Sequence, residues 1–203
     1  MIGVVDYGLG NVQAFLNIYK RLNIPAMAIR TAGALADAER VILPGVGSFD
    51  WAMARLNSSG MREALDEQVL NKRHPVLGVC VGMQMLARRS EEGRLPGLGW
   101  ISADVKRFDE NGFTQKTHLP HMGWNDAAPC AVDSLFRGME VPRFYFLHSY
   151  YVLPDNSEQI LATTDYNGEF ASAVRAGHVY GTQFHPEKSH QWGIQLLRNF
   201  AEI

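Results

Sequence analysis

One cysteine of the chain lies between two glycines, in the stretch LGVCVGMQ at residues 77–84. Cys80 follows an apolar run that is typical of a buried strand, and we predict a helix soon after it. In a sharp strand-to-helix turn, Gly78 and Gly82 would relieve crowding around a strained nucleophile, whose side chain then projects above the sheet. The pattern indicates a candidate nucleophilic thiol, although a buried cysteine in a glycine-tight turn fits it equally well.

A thiol needs a base or a positive neighbour to react at neutral pH, and His185 is the candidate base. It lies in QFHPEKS, directly after an apolar strand predicted at 179–184. Pro186 favours an extended conformation at His185, and in an extended segment Glu187 points the same way as His185. The carboxylate would hold one ring nitrogen and leave the other for Cys80. The alternative is an ordinary surface pair at the end of a strand.

The stretch PGVGSFD at 44–50 follows another predicted strand. Backbone amides of Gly45, Val46 and Gly47 would be able to turn toward a substrate carbonyl, and an ordinary glycine turn is the alternative. His118 and His121 have the spacing H-x-x-H, but Pro120 lies between them and no third ligand is evident, so we expect no metal site. Neither dinucleotide nor nucleotide phosphate-loop motifs occur, which argues against those cofactors.

The first half of the chain alternates strands and helices. We predict strands at 2–6, 26–30, 38–43 and 75–79, and helices at 11–22, 49–57, 61–71 and 83–89. This order predicts a parallel sheet with helices on both faces. Because parallel strands present their carboxyl ends at one edge, Cys80 and His185 are expected to meet there.

The second half is richer in strands. We predict β-segments at 100–108, 115–118, 143–153, 159–166, 172–176 and 179–184, and a closing amphipathic helix at 191–201. These strands would extend the parallel sheet with antiparallel ones. No linker, repeat or low-complexity stretch is visible, so we expect a single domain spanning residues 1–203.

Composition narrows the function classes. The 203 residues carry a net charge of −2, which gives no reason to expect nucleic acid or an anionic membrane as a partner. No apolar run reaches the length of a membrane span, and the N-terminus lacks the pattern of a signal peptide. The two cysteines, Cys80 and Cys130, argue against a disulfide framework and for a cytoplasmic protein. Cys130 is predicted to be a structural thiol.

Taken together, the motifs resemble those of the class I, triad-type glutamine amidotransferases. The matching stretches are DYGLGN (6–11), LPGVGSF (43–49), GVCVGMQ (78–84), SEEG (90–93), LPHMGWN (119–125), FLHSY (146–150) and YGTQFHPEKS (180–189). Within that class, the DYGLGN start, PHMGWN and the FHPEKS ending are similar to the glutaminase subunits of imidazole glycerol phosphate synthases. The resemblance covers nearly the whole chain, and its one small departure is Val81, where leucine is commoner. It implies a three-layer, flavodoxin-like α/β fold with a mostly parallel central sheet.

The resemblance also implies roles for individual residues. Cys80 would attack the side-chain amide carbon of glutamine, His185 would transfer protons, and Glu187 would orient His185. The oxyanion would be bound by the Val81 amide and by an amide of the Gly45–Gly47 strand, after a peptide reorientation. The glutamine pocket would be lined by Gln84, His148, Ser149 and Tyr150, with a core histidine as the alternative for His148.

The partner that the resemblance implies is a (β/α)8-barrel cyclase subunit, in a heterodimer. It would receive ammonia through a dry passage and form imidazole glycerol phosphate and AICAR from PRFAR, in histidine biosynthesis, with no cofactor on this chain. The residues expected near that interface are Asn11, Trp124, Tyr145 and Lys188. Two alternatives are the glutaminase of another triad amidotransferase, such as that of pyridoxal phosphate synthesis, and a non-catalytic α/β scaffold.

Overall fold

The computed structural model describes residues 1–114, 117–130 and 135–203. The strands in these ranges are β1 Ile2–Val5, β2 Ala26–Ile29, β3 Arg40–Gly45, β4 Val76–Cys80, β5 Arg89–Ser90, β6 Ala103–Arg107, β7 His121–Asp126, β8 Ala128–Pro129, β9 Arg143–His148, β10 Tyr150–Pro154, β11 Ile160–Asp165, β12 Glu169–Ala176 and β13 Val179–Thr182. The helices are α1 Val12–Arg21, α2 Phe49–Ser58, α3 Arg62–Asp66, α4 Val81–Met85 and α5 His190–Ala201. Shorter helical turns are Gly33–Asp37, Glu67–Asn71, Glu110–Gly112, Ser157–Gln159 and Pro186–Lys188.

The central sheet has the strand order β2-β1-β3-β4-β13-β12-β11-β8. The first five strands run parallel, and the other three are antiparallel additions, as the sequence predicts. Strands β1, β4 and β13 are buried along their whole length. Their near-continuous apolar sequences follow from this burial, because a parallel strand covered on both faces has no solvent-facing side.

The helices cover both faces of this sheet. Helix α1 packs against β1, β2 and α5, whereas α4 packs against β3, β4 and α2. Phe15, Ile18 and Tyr19 form the buried stripe of α1, and the Asn11 side chain caps its first turn by accepting from the Ala14 amide at 3.1 Å. In the described residues no helix is both long enough and apolar enough to span a membrane.

Two small sheets lie beside the central one. One has the order β10-β6-β5, and the other is the antiparallel pair β7-β9. In the pair, Met122 lies opposite Leu147 and Trp124 opposite Tyr145, while His121 lies opposite His148. Alternation along each strand therefore leaves Met122, Trp124 and Leu147 exposed and Tyr145 half-buried, and it buries the two histidines.

The structure corrects several boundaries. The helix predicted at 83–89 is wrong, because α4 ends at Met85 and Arg89 is already in β5. The segment predicted at 143–153 is two strands in different sheets, separated at Ser149. Strand β7 was not predicted. Of the segment 115–118, positions 115–116 lie outside the described residues, and 117–118 are not in a strand.

Candidate active site

Cys80 is the last residue of β4 and the residue that precedes α4. Its backbone has φ 55° and ψ −115°, a conformation that non-glycine residues rarely adopt. Such strain persists only where the surrounding packing imposes it, and it is concentrated at functional sites. Cys80 is almost buried, with 4% of the residue exposed, and it is one of the residues that line a pocket.

The glycines around Cys80 are required by close backbone packing. A Cβ on Gly82 would lie 1.9 Å from the Leu43 carbonyl oxygen, and one on Gly45 would lie 2.3 Å from the Gly82 nitrogen. A Cβ on Gly78 would likewise lie 2.7 Å from the Gly82 carbonyl oxygen. The end of β3 thus packs directly on the turn that holds Cys80, which fixes the nucleophile relative to the loop at 46–48.

His185 and Glu187 follow β13, which is the parallel neighbour of β4. The His185 Nδ1 atom lies 2.8 Å from Glu187 Oε1, and both side chains are almost fully buried. The backbone of His185 is held as well, because its amide donates to the Tyr145 carbonyl and its carbonyl accepts from the Ser189 hydroxyl. The second ring nitrogen is left for Cys80, with which His185 interacts.

The pKa of His185 is raised to about 10. Burial by itself would lower this pKa, but the hydrogen bonds to Cys80 and Glu187, and the charges of both groups, outweigh the effect of burial. The imidazole therefore holds a proton at neutral pH.

A pocket opens over Cys80. The residues that line it are Gly47, Cys80, Val81, Gln84, Glu92, Pro120, Leu147, His148, Ser149 and Tyr150. Six of the eight residues expected to bind substrate are among them. The other two, Gly45 and Val46, do not line the pocket, since Gly45 is packed beneath the turn and Val46 is exposed.

Glu92 is a pocket residue that sequence reasoning missed. Its Oε2 atom accepts from the Phe49 amide at 2.8 Å, which ties it to the start of α2, just after the loop at 46–48. It lies in SEEG, a stretch that the resemblance already contained, so a carboxylate for a cationic substrate group was visible there. Pro120 and Leu147 come from segments whose approach to Cys80 depends on the β7–β9 pair.

His148 lines the pocket with a ring whose two nitrogens are both engaged. Nδ1 lies 2.8 Å from the Tyr150 carbonyl oxygen, and Nε2 lies 2.9 Å from His121 Nδ1. Because a carbonyl only accepts, His148 donates through Nδ1 and accepts through Nε2, so His121 is the donor between the two rings. The alternative of a core histidine fits the ring of His148 better than direct substrate binding.

A model of the class-I glutamine amidotransferases matches residues 4–203 of the chain. The chain belongs to this family. The amidotransferase is 56% identical over its full length to "Imidazole glycerol phosphate synthase subunit HisH" of Bdellovibrio bacteriovorus, and 47% identical to the protein of that name in Leptospira borgpetersenii. A relative in Pseudomonas aeruginosa, "Imidazole glycerol phosphate synthase subunit HisH 2", is 48% identical. In all three pairs the match covers 100% of both chains.

Solved structures share the fold of the amidotransferase. A "Crystal structure of glutamine amidotransferase" superposes with a TM-score of 0.73 at 23% identity, and it covers 99% of this chain and 97% of that one. The structure of PurLQS from Thermotoga maritima gives a TM-score of 0.74 at 17% identity, with the same coverage. These likenesses confirm the α/β architecture that the sequence predicts.

The residues expected at a partner interface lie near one another on the amidotransferase surface. Trp124 is 41% exposed and stacks on His190 at 5.2 Å, and the Lys188 ammonium lies 5.8 Å from the centre of the Tyr145 ring. Asn11 is exposed at the start of α1, the helix that packs beside the Pro186–Lys188 turn. The sequence HMGWN is compatible with an exposed contact surface at Trp124 and Met122, with core packing as the alternative, and Met122 is exposed. Leu147, not anticipated from the sequence, extends the same face of the β7–β9 pair.

Acid is expected to destabilise the amidotransferase through the buried pair His121 and His148. Burial lowers the pKa of His121 to about 4 and that of His148 to about 3, and the charge of His121 contributes to the lowering at His148. In the unfolded chain the two histidines bind protons near pH 6.5, whereas in the folded protein they stay neutral until the pH is much lower. The free energy of unfolding is therefore highest above pH 6.5. As the pH drops toward 4, each of the two histidines lowers it by about 1.4 kcal/mol for every pH unit.

Urea unfolding at pH 7.0, 5.5 and 4.5 measures this loss. His121→Gln keeps a donor for His148 and removes one titrating group, so its stability should fall less steeply with acid than that of the wild type. Carboxylates titrate in both proteins and cancel in the comparison. If the free energy of unfolding fell equally steeply with acid in the wild type and in His121→Gln, His121 would not be a source of the acid sensitivity.

Proposed function

We propose that this amidotransferase is the glutaminase subunit of an imidazole glycerol phosphate synthase, built as one catalytic domain. The observation that carries the proposal is the joining of Cys80, His185 and Glu187 at the carboxyl ends of two neighbouring parallel strands, beneath a pocket. The names of relatives at 47–56% identity support the same assignment.

The reaction follows from the protonated state of His185. The Cys80 thiolate attacks the side-chain amide carbon of glutamine, and the resulting tetrahedral intermediate expels ammonia as the His185 imidazolium delivers its proton to the nitrogen. A γ-glutamyl thioester remains on Cys80. His185, now neutral, takes a proton from water, the water oxygen attacks the thioester, and glutamate leaves with the thiolate restored. Glu187 orients the ring and stabilises its charge throughout.

The remaining pocket residues receive roles by position. The Val81 amide follows the nucleophile directly and is proposed as one oxyanion donor, with an amide of the Gly45–Gly47 strand as the second after a peptide turns. Glu92 is proposed to pair with the α-ammonium of glutamine, because it brings a carboxylate to the pocket. Gln84, Ser149 and Tyr150 would complete the binding of the amino-acid end.

The ammonia is proposed to pass to a (β/α)8-barrel cyclase subunit in a heterodimer. Free ammonia would be mostly protonated at pH 7 and lost to solvent, which a closed passage prevents. The barrel would use it to form imidazole glycerol phosphate and AICAR from PRFAR, and both subunits would work in the cytoplasm. The face of the β7–β9 pair around Trp124 carries the exposed apolar side chains of Met122 and Leu147. Lys188 and the exposed ion pair of Arg143 with Asp126 lie beside them, and such a mixture suits a protein interface.

Glutamate release with and without the cyclase subunit tests this proposal. We expect the isolated chain to be a poor glutaminase and the complex, with its nucleotide ligand bound, to be strongly activated. The control is the synthase subunit of another triad amidotransferase, with its own substrate bound. This subunit should not activate the chain. Equal rates of glutamate release by the isolated chain and by the complex would overturn the partner coupling. Activation by the control subunit alone would favour a different acceptor for the ammonia.

A further inference from the structure

A second side chain besides His185 lies against the Cys80 sulfur. Gln183 follows β13, two residues before His185, and it is fully buried. Its Nε2 atom lies 3.9 Å from Cys80 Sγ, and its Oε1 atom accepts from Gln84 Nε2 at 3.2 Å. None of the expected roles includes this residue.

The orientation of the Gln183 amide is decided by one backbone carbonyl. The Tyr150 oxygen can only accept, so Gln84, at 3.2 Å from it, must present its NH2 group there. The same NH2 group then faces Gln183, which must offer its oxygen to Gln84. The Gln183 NH2 group is consequently turned toward the sulfur, and a flipped amide would lose a hydrogen bond at a fully buried site.

The Tyr150 carbonyl is itself held from a second direction. His148 donates to it at 2.8 Å, and His121 donates to His148. The far end of this chain is Asn125 of β7, whose Nδ2 lies 3.2 Å from His121 Nε2. Each link of this hydrogen-bond network joins a donor to an acceptor, so several contacts together fix the orientation of the Gln183 amide.

We infer that Gln183 is a catalytic residue whose amide NH2 group stabilises the Cys80 thiolate by a hydrogen bond, oriented by Gln84 and the Tyr150 carbonyl. This inference rests on the proposed function, in which Cys80 is the nucleophile. The sulfur then has two donors, the charged ring of His185 and the neutral amide of Gln183. When His185 gives up its proton to the leaving ammonia, Gln183 remains as a donor beside the sulfur.

The test is the rate at which iodoacetamide alkylates Cys80. All variants carry Cys130→Ala, because Cys130 is exposed and would also react. Gln183→Met keeps the volume and removes the donor, and Gln183→Glu places an acceptor beside the sulfur. Gln68→Met is the matched control, since Gln68 is a buried glutamine in the turn before β4, at the opposite end of that strand from Cys80.

We expect Gln183→Met to slow alkylation at pH 7 by about tenfold, the size of one hydrogen bond to a charged group. Gln183→Glu should slow it further, Gln68→Met should leave it unchanged, and the loss in Gln183→Met should shrink as pH rises toward 9. A folding defect alone would not produce this pH dependence, and circular dichroism monitors folding in each variant.

Alkylation of both folded Gln183 variants at the wild-type rate would overturn the inference. The same holds if Gln183→Met and Gln68→Met slow it equally. Failure of the proposed function has a different signature, namely glutamate release that persists when Cys80 is replaced. The two outcomes are therefore distinguishable in one set of variants.

Discussion

Replacing Cys80 with alanine is expected to reduce glutamate release from glutamine by at least about 10³-fold. The pocket and the hydrogen bonds among Gln84, Gln183 and Tyr150 stay in place, so glutamine should still bind. What disappears is the sulfur that forms the thioester. The rate is measured as glutamate formed by the chain together with its cyclase subunit.

Cys130→Ala is the control for this substitution. Cys130 is exposed, and its sulfur lies 3.9 Å from the Ala128 carbonyl oxygen. Its replacement should leave the rate unchanged. A Cys80→Ala protein that folds, binds its partner and still releases glutamate at more than a few per cent of the wild-type rate would remove Cys80 from the mechanism.

His185→Ala is expected to lower the rate of glutamate release by about 10³-fold, within the range of general acid–base catalysis. The substitution removes the group that keeps a proton beside the sulfur up to about pH 10 and that would protonate the leaving ammonia. It also leaves the buried Glu187 carboxylate without its partner. Glutamate release across pH 6–10, with folding checked by thermal melting, measures the effect.

His74→Ala serves as the control, because His74 precedes β4 at the opposite edge of the sheet from Cys80. The rate of glutamate release by Glu187→Gln should lie between the rates of His185→Ala and His74→Ala. In this variant the His185 ring keeps a hydrogen-bond partner but loses the negative charge that favours its protonated form. Wild-type activity in His185→Ala at neutral pH would mean that another group moves the proton.

The central sheet and the candidate triad follow from sequence because their signals are local. Strands β1, β4 and β13 are continuous apolar runs, and such runs are buried wherever helices cover both faces. Once β4 and β13 are parallel, their carboxyl ends coincide, so Cys80 and His185 approach each other without further information. The His185–Glu187 pair needs only the spacing of an extended segment.

The end of α4 did not follow from sequence because distant backbone groups decide it. The Leu98 amide donates to the Met85 carbonyl at 2.7 Å, and the Arg88 amide donates to the Ala103 carbonyl at 3.0 Å. These bonds recruit residues after Met85 into the β5–β6 ladder, although the apolar stripe of 83–89 suits a helix. Tertiary pairing outweighed local propensity here.

The environment of His148 was equally invisible in the sequence. Its ring is committed by His121, which is 27 residues earlier and meets it only because β7 and β9 pair in one particular register. Gln183 was overlooked for the opposite reason. It stands in QFHPEKS beside His185, but a lone buried glutamine carries no chemical signal until Gln84 and Tyr150 fix which end of its amide faces the sulfur.

The mass of the intact chain after reaction with a glutamine-mimicking electrophile tests the central claim most directly. We predict one adduct per chain, located on Cys80 by peptide mapping, formed equally in Cys130→Ala and slowed by added glutamine. Cys80→Ala should acquire no adduct. An adduct on another residue, or labelling that glutamine does not slow, would contradict the proposal that Cys80 is the nucleophile of a glutaminase.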